Sequence, residues 1–172
     1  TAFADEFDGT VLKSEWEWNN PKGDSSYSLS SEVSWLEMHA ASGSDLYWNN
    51  FDAPRLLQEI PPYPPLQKGG DYPFPPLSKG GRGDFAVEAR MKAASDDLPS
   101  VGGLLVWKDK ENYIRFERGM NGKDERVLSG ALGGEFEYLG RGMLASEVIY
   151  LRLERIGDKI SAYCSSDGAN WM

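Results

Sequence analysis

Eight side chains in the sequence have the types that hold a ligand. Trp48, Trp107 and Tyr113 offer flat apolar ring faces, and Arg55, Glu88, Arg90, Arg115 and Glu117 offer charged hydrogen-bonding heads. Their chemistry is binding: rings cover apolar surface, and charged groups orient what lies on them. Four of the eight fall in one stretch, GGLLVWKDKENYIRFERG at 102–119. It reads as a β-hairpin with LLVW outbound, a charged turn at KDKEN, and YIRFER returning. The outbound run is apolar on both faces, as in a central strand covered on both sides. On the return, Ile114 and Phe116 point one way and Tyr113, Arg115 and Glu117 the other. One face is therefore a core, and the other carries Trp107, Tyr113, Arg115 and Glu117. Each of these also has a structural reading, with Trp107 in a core and the Arg and Glu as ion pairs on the sheet.

Catalytic patterns are missing by comparison. There is no glycine-rich phosphate loop opening a helix, no GxSxG elbow, no HExxH and no cysteine–histidine zinc spacing. Glycoside hydrolysis needs two carboxylates flanking a cleft. Asp5, Glu6 and Asp8 are wrongly spaced for that, and Glu15 and Glu17 lie in a peripheral strand. Glu88 and Glu117 could face a common groove, but ion pairing with Arg90 and Arg115 is the simpler role. The expectation is a protein that is not an enzyme. His39 is the single histidine and has no companion ligands nearby in sequence, so it reads as a strand-edge residue. Calcium remains a candidate cofactor through Asp5, Asp8, Asp109 and Asp158, although such residues also serve as turn formers. Cys164 is the one cysteine. It alternates with Ile160 and Ala162 and reads as a buried structural thiol.

The chain has 172 residues and a formal net charge of −9. This suits one domain with a sizeable core. An acidic chain without a basic stripe disfavours nucleic acid and anionic membrane surfaces as partners. No run of eighteen apolar residues exists, so no membrane span is expected. The chain opens on Thr1 with no signal peptide, which fits a processed protein or a domain cut from a larger one.

Nineteen glycines and ten prolines punctuate short alternating runs, with no long amphipathic stretch. Strands are expected at 14–19, 27–29, 34–39, 84–92, 104–107, 113–118, 126–132, 135–139, 148–155 and 159–165, with a segment at 46–57 along the sheet rim. That is an all-β chain of two packed antiparallel sheets. Residues 61–83 stand apart. YPPLQKGG repeats as FPPLSKGG eleven residues on, in a text too rich in proline and glycine for a sheet strand. The flanking text reads continuously without it, so it is expected to be an insertion loop in a single domain spanning 1–172. Similar proline–glycine repeats are spread through some bacterial proteomes.

The segments GDFAVEARM, GGLLVWKDKENYIRFERG and LRLERIGDKISAYCSSDGANW, with the N-terminal FADEFDG, occur in an order that resembles the DUF1349 family. These are regulation-of-enolase-protein-like domains of the concanavalin A-like lectin/glucanase superfamily. The resemblance implies a two-sheet antiparallel jelly-roll sandwich, and related domains sit at the C-terminus of family-43 β-xylosidases. By analogy of fold it implies a lectin-like carbohydrate-binding module, its ligand on the concave sheet face among the eight residues named above. The strands that normally follow D-G-x-x-W are missing, which would leave an open edge. The alternative is a protein-interaction or assembly module using that edge or the insertion loop.

Overall fold

The computed structural model describes residues 3–59, 84–92 and 100–172. Among them there is no helix. Eleven strands form, β1 (Glu17–Asn19), β2 (Ser26–Ser28), β3 (Glu37–His39), β4 (Arg55–Leu57), β5 (Phe85–Lys92), β6 (Gly102–Asp109), β7 (Asn112–Arg118), β8 (Glu125–Leu132), β9 (Glu135–Met143), β10 (Val148–Ile156) and β11 (Lys159–Ser165). The expected insertion at 61–83 lies outside the described residues. The chain divides into two compact units, Thr1–Ile60 and Pro61–Met172.

The first unit holds two small antiparallel pairs, β1 with β4 and β2 with β3. Its strands are shorter than the alternation predicts, because local turns compete with pairing. The Trp16 amide closes a turn on the Lys13 carbonyl at 3.1 Å, so only Glu17–Asn19 of the 14–19 run is a strand. The Trp35 amide reaches the Glu32 carbonyl at 3.3 Å, and Ser34 sits at a φ of 61°, which trims the 34–39 run to Glu37–His39. At the N-terminus the Asp5 carboxylate accepts from the Trp16 indole at 2.8 Å and from the Phe7 amide at 3.0 Å. Phe3 and Phe7 pack on the same indole.

The second unit is a sandwich. One sheet runs β6-β7-β8-β9 and the other β11-β10-β5, and every pairing is antiparallel. Alternation decides what lies between them. Ile149, Leu151 and Leu153 of β10 are wholly buried against Leu104, Ile114 and Phe116 of the facing sheet, with Ala89, Met91, Leu128, Ile160, Ala162 and Cys164 around them. Full burial of each large aliphatic side chain contributes roughly 1.5–3 kcal/mol. Gly130 on β8 lies so close to the Tyr113 carbonyl that any Cβ would overlap it. The all-β antiparallel sandwich expected from the turn-punctuated sequence is the fold that forms.

β6 extends two residues beyond the expected 104–107 at each end, and two further features depart from expectation. β9 continues past residue 139 to Met143, because a bulge at the Leu128/Ser129 step absorbs Leu139 and pairing resumes at Gly140. At the C-terminus the chain folds back. Met172 exchanges two main-chain hydrogen bonds with Cys164, at 3.0 and 3.1 Å. The turn between them is pinned by Asp167, whose Oδ1 accepts from the Ala169 and Asn170 amides, both at 2.8 Å. The Asn170 amide, the Asn170 side chain, the Ala169 amide and the Ser165 hydroxyl hold the Asp167 carboxyl well below the usual range.

Candidate binding surfaces

The eight candidate residues fall in three places. Trp107, Tyr113, Arg115 and Glu117 share the face of β6 and β7 turned away from the core, as alternation predicts. The register carries that face across the sheet in rows. One row is Trp107, Tyr113, Ala131 and Phe136, the next Leu105, Arg115, Ser129 and Tyr138, and the third Gly103, Glu117, Val127 and Arg141. Trp107 and Tyr113 stack with ring centroids 5.7 Å apart. The Arg115 Nε donates to the Ser129 hydroxyl at 2.9 Å and pairs with Glu117 at 3.1 Å. Its guanidinium lies 5.3 Å from the centre of the Phe136 ring. The centre of this face is closed to solvent, since Tyr113 and Arg115 are each only 3% exposed. They form its packed and hydrogen-bonded floor. The face opens toward β9, where Tyr138 is 58% exposed.

Glu88 and Arg90 lie on the opposite outer surface of the sandwich. Their neighbours Ala89 and Met91 point into the core, so the two charged side chains point out from the other sheet. Glu88 therefore shares no groove with Glu117, and the two cannot act as a paired-carboxylate site. Nor does Glu88 pair with Arg90. Arg152 stands directly opposite Glu88 in the β5–β10 register and bonds it at 2.9 Å. The reason is reach: opposite residues on paired strands have Cβ atoms about 5 Å apart, closer than positions two apart on one strand. The Arg152 guanidinium also lies 4.2 Å from the Trp171 ring centre, and the Tyr150 ring packs on Gly168.

Trp48 and Arg55 belong to the first unit. Tyr47 and Asn50 exchange two main-chain hydrogen bonds of 2.9 Å each, closing a two-residue turn with Trp48 at its tip. The turn is braced from behind. The Asn50 side-chain Nδ2 donates to the Gly43 carbonyl at 2.8 Å, the Ala53 main-chain amide to the Asp45 carbonyl at 3.0 Å, and Leu46 is buried. Trp48 takes a φ of 53°, a conformation that suits glycine or asparagine, and is 79% exposed. Arg55 turns inward instead. It donates to the Asn19 side chain at 2.9 Å and to the Phe51 carbonyl at 3.2 Å, tying β4 to β1 and to the end of the loop. Burial pushes its guanidinium below the usual arginine range.

Sequence reasoning missed two buried arginines. Arg118 and Arg126 are 2% and 1% exposed and point to the core side of β7 and β8. Their hydrogen bonds go to main-chain carbonyls. Arg118 reaches Lys123, Ser146 and Glu147, and Arg126 reaches Lys123, Glu125 and Leu144. They clamp the 119–124 turn to the 144–147 loop. Burial lowers both from the arginine norm, and in Arg126 the neighbouring Arg118 charge adds to it. The signal available in sequence was their parity: both follow the core-facing positions of their strands.

Among the described residues, no three His, Cys, Asp or Glu side chains stand together as metal ligands would. Asp5 is occupied by Trp16, Phe7 and Lys13. Asp109 accepts from the Asn112 side chain and the Glu111 amide, both at 2.9 Å. Asp158 stands exposed, 3.9 Å from Arg155. His39 is an exposed edge residue 2.9 Å from Glu37. Cys164 packs on the core, and burial pushes its thiol up.

No family model matches the chain, and no curated protein matches it in sequence. Among solved structures it is similar to the GH43 protein BlXynB from Bacillus licheniformis, at TM-score 0.66 and 15% identity. A single-site mutant of the same protein gives TM-score 0.68 and 14% identity. The likeness is one of fold. Each comparison covers 98% of this chain and 29% of the other, so this chain spans less than a third of that protein's length.

Proposed function

We propose that this chain is a non-catalytic carbohydrate-binding module of the concanavalin A-like, DUF1349 type. The observation that carries the reading is Trp48. A braced turn holds an indole open to solvent at a backbone angle that costs about 1–2 kcal/mol for most residues. Among the described residues, packing of the remaining fifth of the indole does no more than offset that cost, whereas stacking on the apolar face of a sugar ring would be a net gain. The likeness in fold to part of a GH43 glycoside hydrolase supports a glycan as the ligand. On the sandwich, the open ground is at Tyr138, beside the closed Tyr113–Arg115 centre of the Trp107 face, and that margin is where a sugar could lie. A non-catalytic role is supported by the occupied carboxylates: Glu88 is held by Arg152, Glu117 by Arg115, and Glu125 by Arg141.

The test is a glycan array of the purified chain with and without calcium, beside Trp48→Ala and Trp107→Ala. Binding by the wild type that is lost in folded Trp48→Ala supports the reading. A blank array from a folded protein sinks it. The competing reading, a protein-interaction module, draws on the outer edge of β9, which pairs with no other described strand.

A further inference from the structure

We infer that β9 is a self-pairing edge through which two copies of this chain join their four-stranded sheets. The inference is independent of sugar binding. β9 is the outer strand of its sheet and, among the described residues, pairs with β8 alone. It is nine residues long, EFEYLGRGM, and every residue but Phe136 is exposed. Tyr138, Leu139 and Met143 are 58%, 45% and 69% exposed, and Leu132 at the adjoining end of β8 is 63% exposed. Edge strands in monomers are usually blunted by shortness, proline, charged side chains or bulges. β9 is long and free of proline and lysine, and its charges, Glu135, Glu137 and Arg141, and its bulge at Leu139 restrict it to a partner strand that matches them.

The partner that fits is a second copy, because the strand is complementary to itself. The bulge at Leu139 sets which side chains share a face. Phe136, Tyr138, Arg141 and Met143 lie on the side of Val127 and Ser129, while Glu135, Glu137, Gly140 and Gly142 lie on the other. Opposite residues of an antiparallel pair share a face. A two-fold register that matches the faces sets Tyr138 against the partner's Arg141, Phe136 against the partner's Met143, and Glu137 against the partner's Gly142. Rings thus meet a cation and a thioether, both favourable contacts. Glu137 meets a glycine and Glu135 falls opposite the partner's Leu144, so no like charges oppose. The Arg141 side chain is 61% exposed even while its Nε pairs with Glu125, so its head can reach across. Parallel pairing in register would instead set every glutamate against its own copy. A two-fold contact of this kind closes on itself.

The experiment is sedimentation velocity of the full chain over a concentration series at physiological ionic strength, where repulsion between chains of net charge −9 is screened beyond about 8 Å. The expected result is a species of twice 19.1 kDa. Tyr138→Lys places like charges opposite and should weaken the dimer at least about tenfold. Met143→Lys, at a more exposed position, should weaken it too and serves if Tyr138→Lys fails to fold. Glu137→Ala should leave the constant within about twofold. A monomer at every concentration overturns the inference. So does a dimer whose constant is unmoved by whichever of the two lysine variants folds.

Discussion

Replacing Trp48 by asparagine separates a binding role from a packing role. The indole is 79% exposed, so about a fifth of its area is in contact, roughly 50 Å² of the 250 Å² that a tryptophan can bury. At about 25 cal/mol per Å² that contact contributes about 1 kcal/mol. Against it stands the φ of 53°, which costs about 1–2 kcal/mol for a tryptophan and little for an asparagine. The two effects nearly cancel, so Trp48→Asn should shift stability by less than about 1 kcal/mol in urea titration. Binding should respond differently. A sugar covering one indole face removes about 80 Å² from water, or about 2 kcal/mol, so losing it should raise Kd roughly thirtyfold. Calorimetry against the glycan selected on the array reads this directly. A stability loss above about 2 kcal/mol would show that the indole is packed, and the reasoning fails. An unchanged Kd at unchanged stability would equally refute it.

The arginine clamp predicts an order of effects. Arg118→Met strips the Ser146 and Glu147 carbonyls of the guanidinium and should cost about 3 kcal/mol, lowering Tm by roughly 6–12 °C in a chain of this size. Arg126→Met should cost less: the Lys123 carbonyl keeps Arg118, the Glu125 carbonyl keeps the Gly119 amide, and repulsion between the two arginines is relieved. Calorimetric melting checks both, and a larger loss for Arg126→Met would contradict the assignment. For Asp167, a folded-state pKa held below its unfolded value means stability that is complete above the ordinary carboxylate range and is lost as pH falls below it. Asp167→Asn should therefore flatten the stability profile below about pH 4, as read by melts across pH.

Alternation over β5, β7, β10 and β11 was legible because one sandwich face must be apolar and the strand period is two. That alone placed Ile114, Phe116 and Cys164 in the core and turned Tyr113, Arg115 and Glu117 the other way. The glycines that punctuate the alternating runs fall at real reversals, Gly133-Gly134, Gly157 and Gly168 all taking positive φ, since local backbone chemistry sets them. The short strands of the first unit were overdrawn, because alternation says nothing of the competing turns at Lys13–Trp16 and Glu32–Trp35. Register and layer order were decided only in three dimensions. Parity says that Glu88 points away from Ala89, but not which sheet β5 joins. Pairing with β10 is what sends Glu88 to Arg152 and to the opposite outer face from Glu117. Burial is likewise collective: Tyr113 and Arg115 read as an open face in one dimension, yet are closed in the fold. The exposure of Trp48 depends on hydrogen bonds donated to the Gly43 and Asp45 carbonyls by Asn50 and Ala53, which no local pattern encodes. Periodicity along the chain thus determined which side each residue takes, while packing between distant segments decided which of those sides meets solvent.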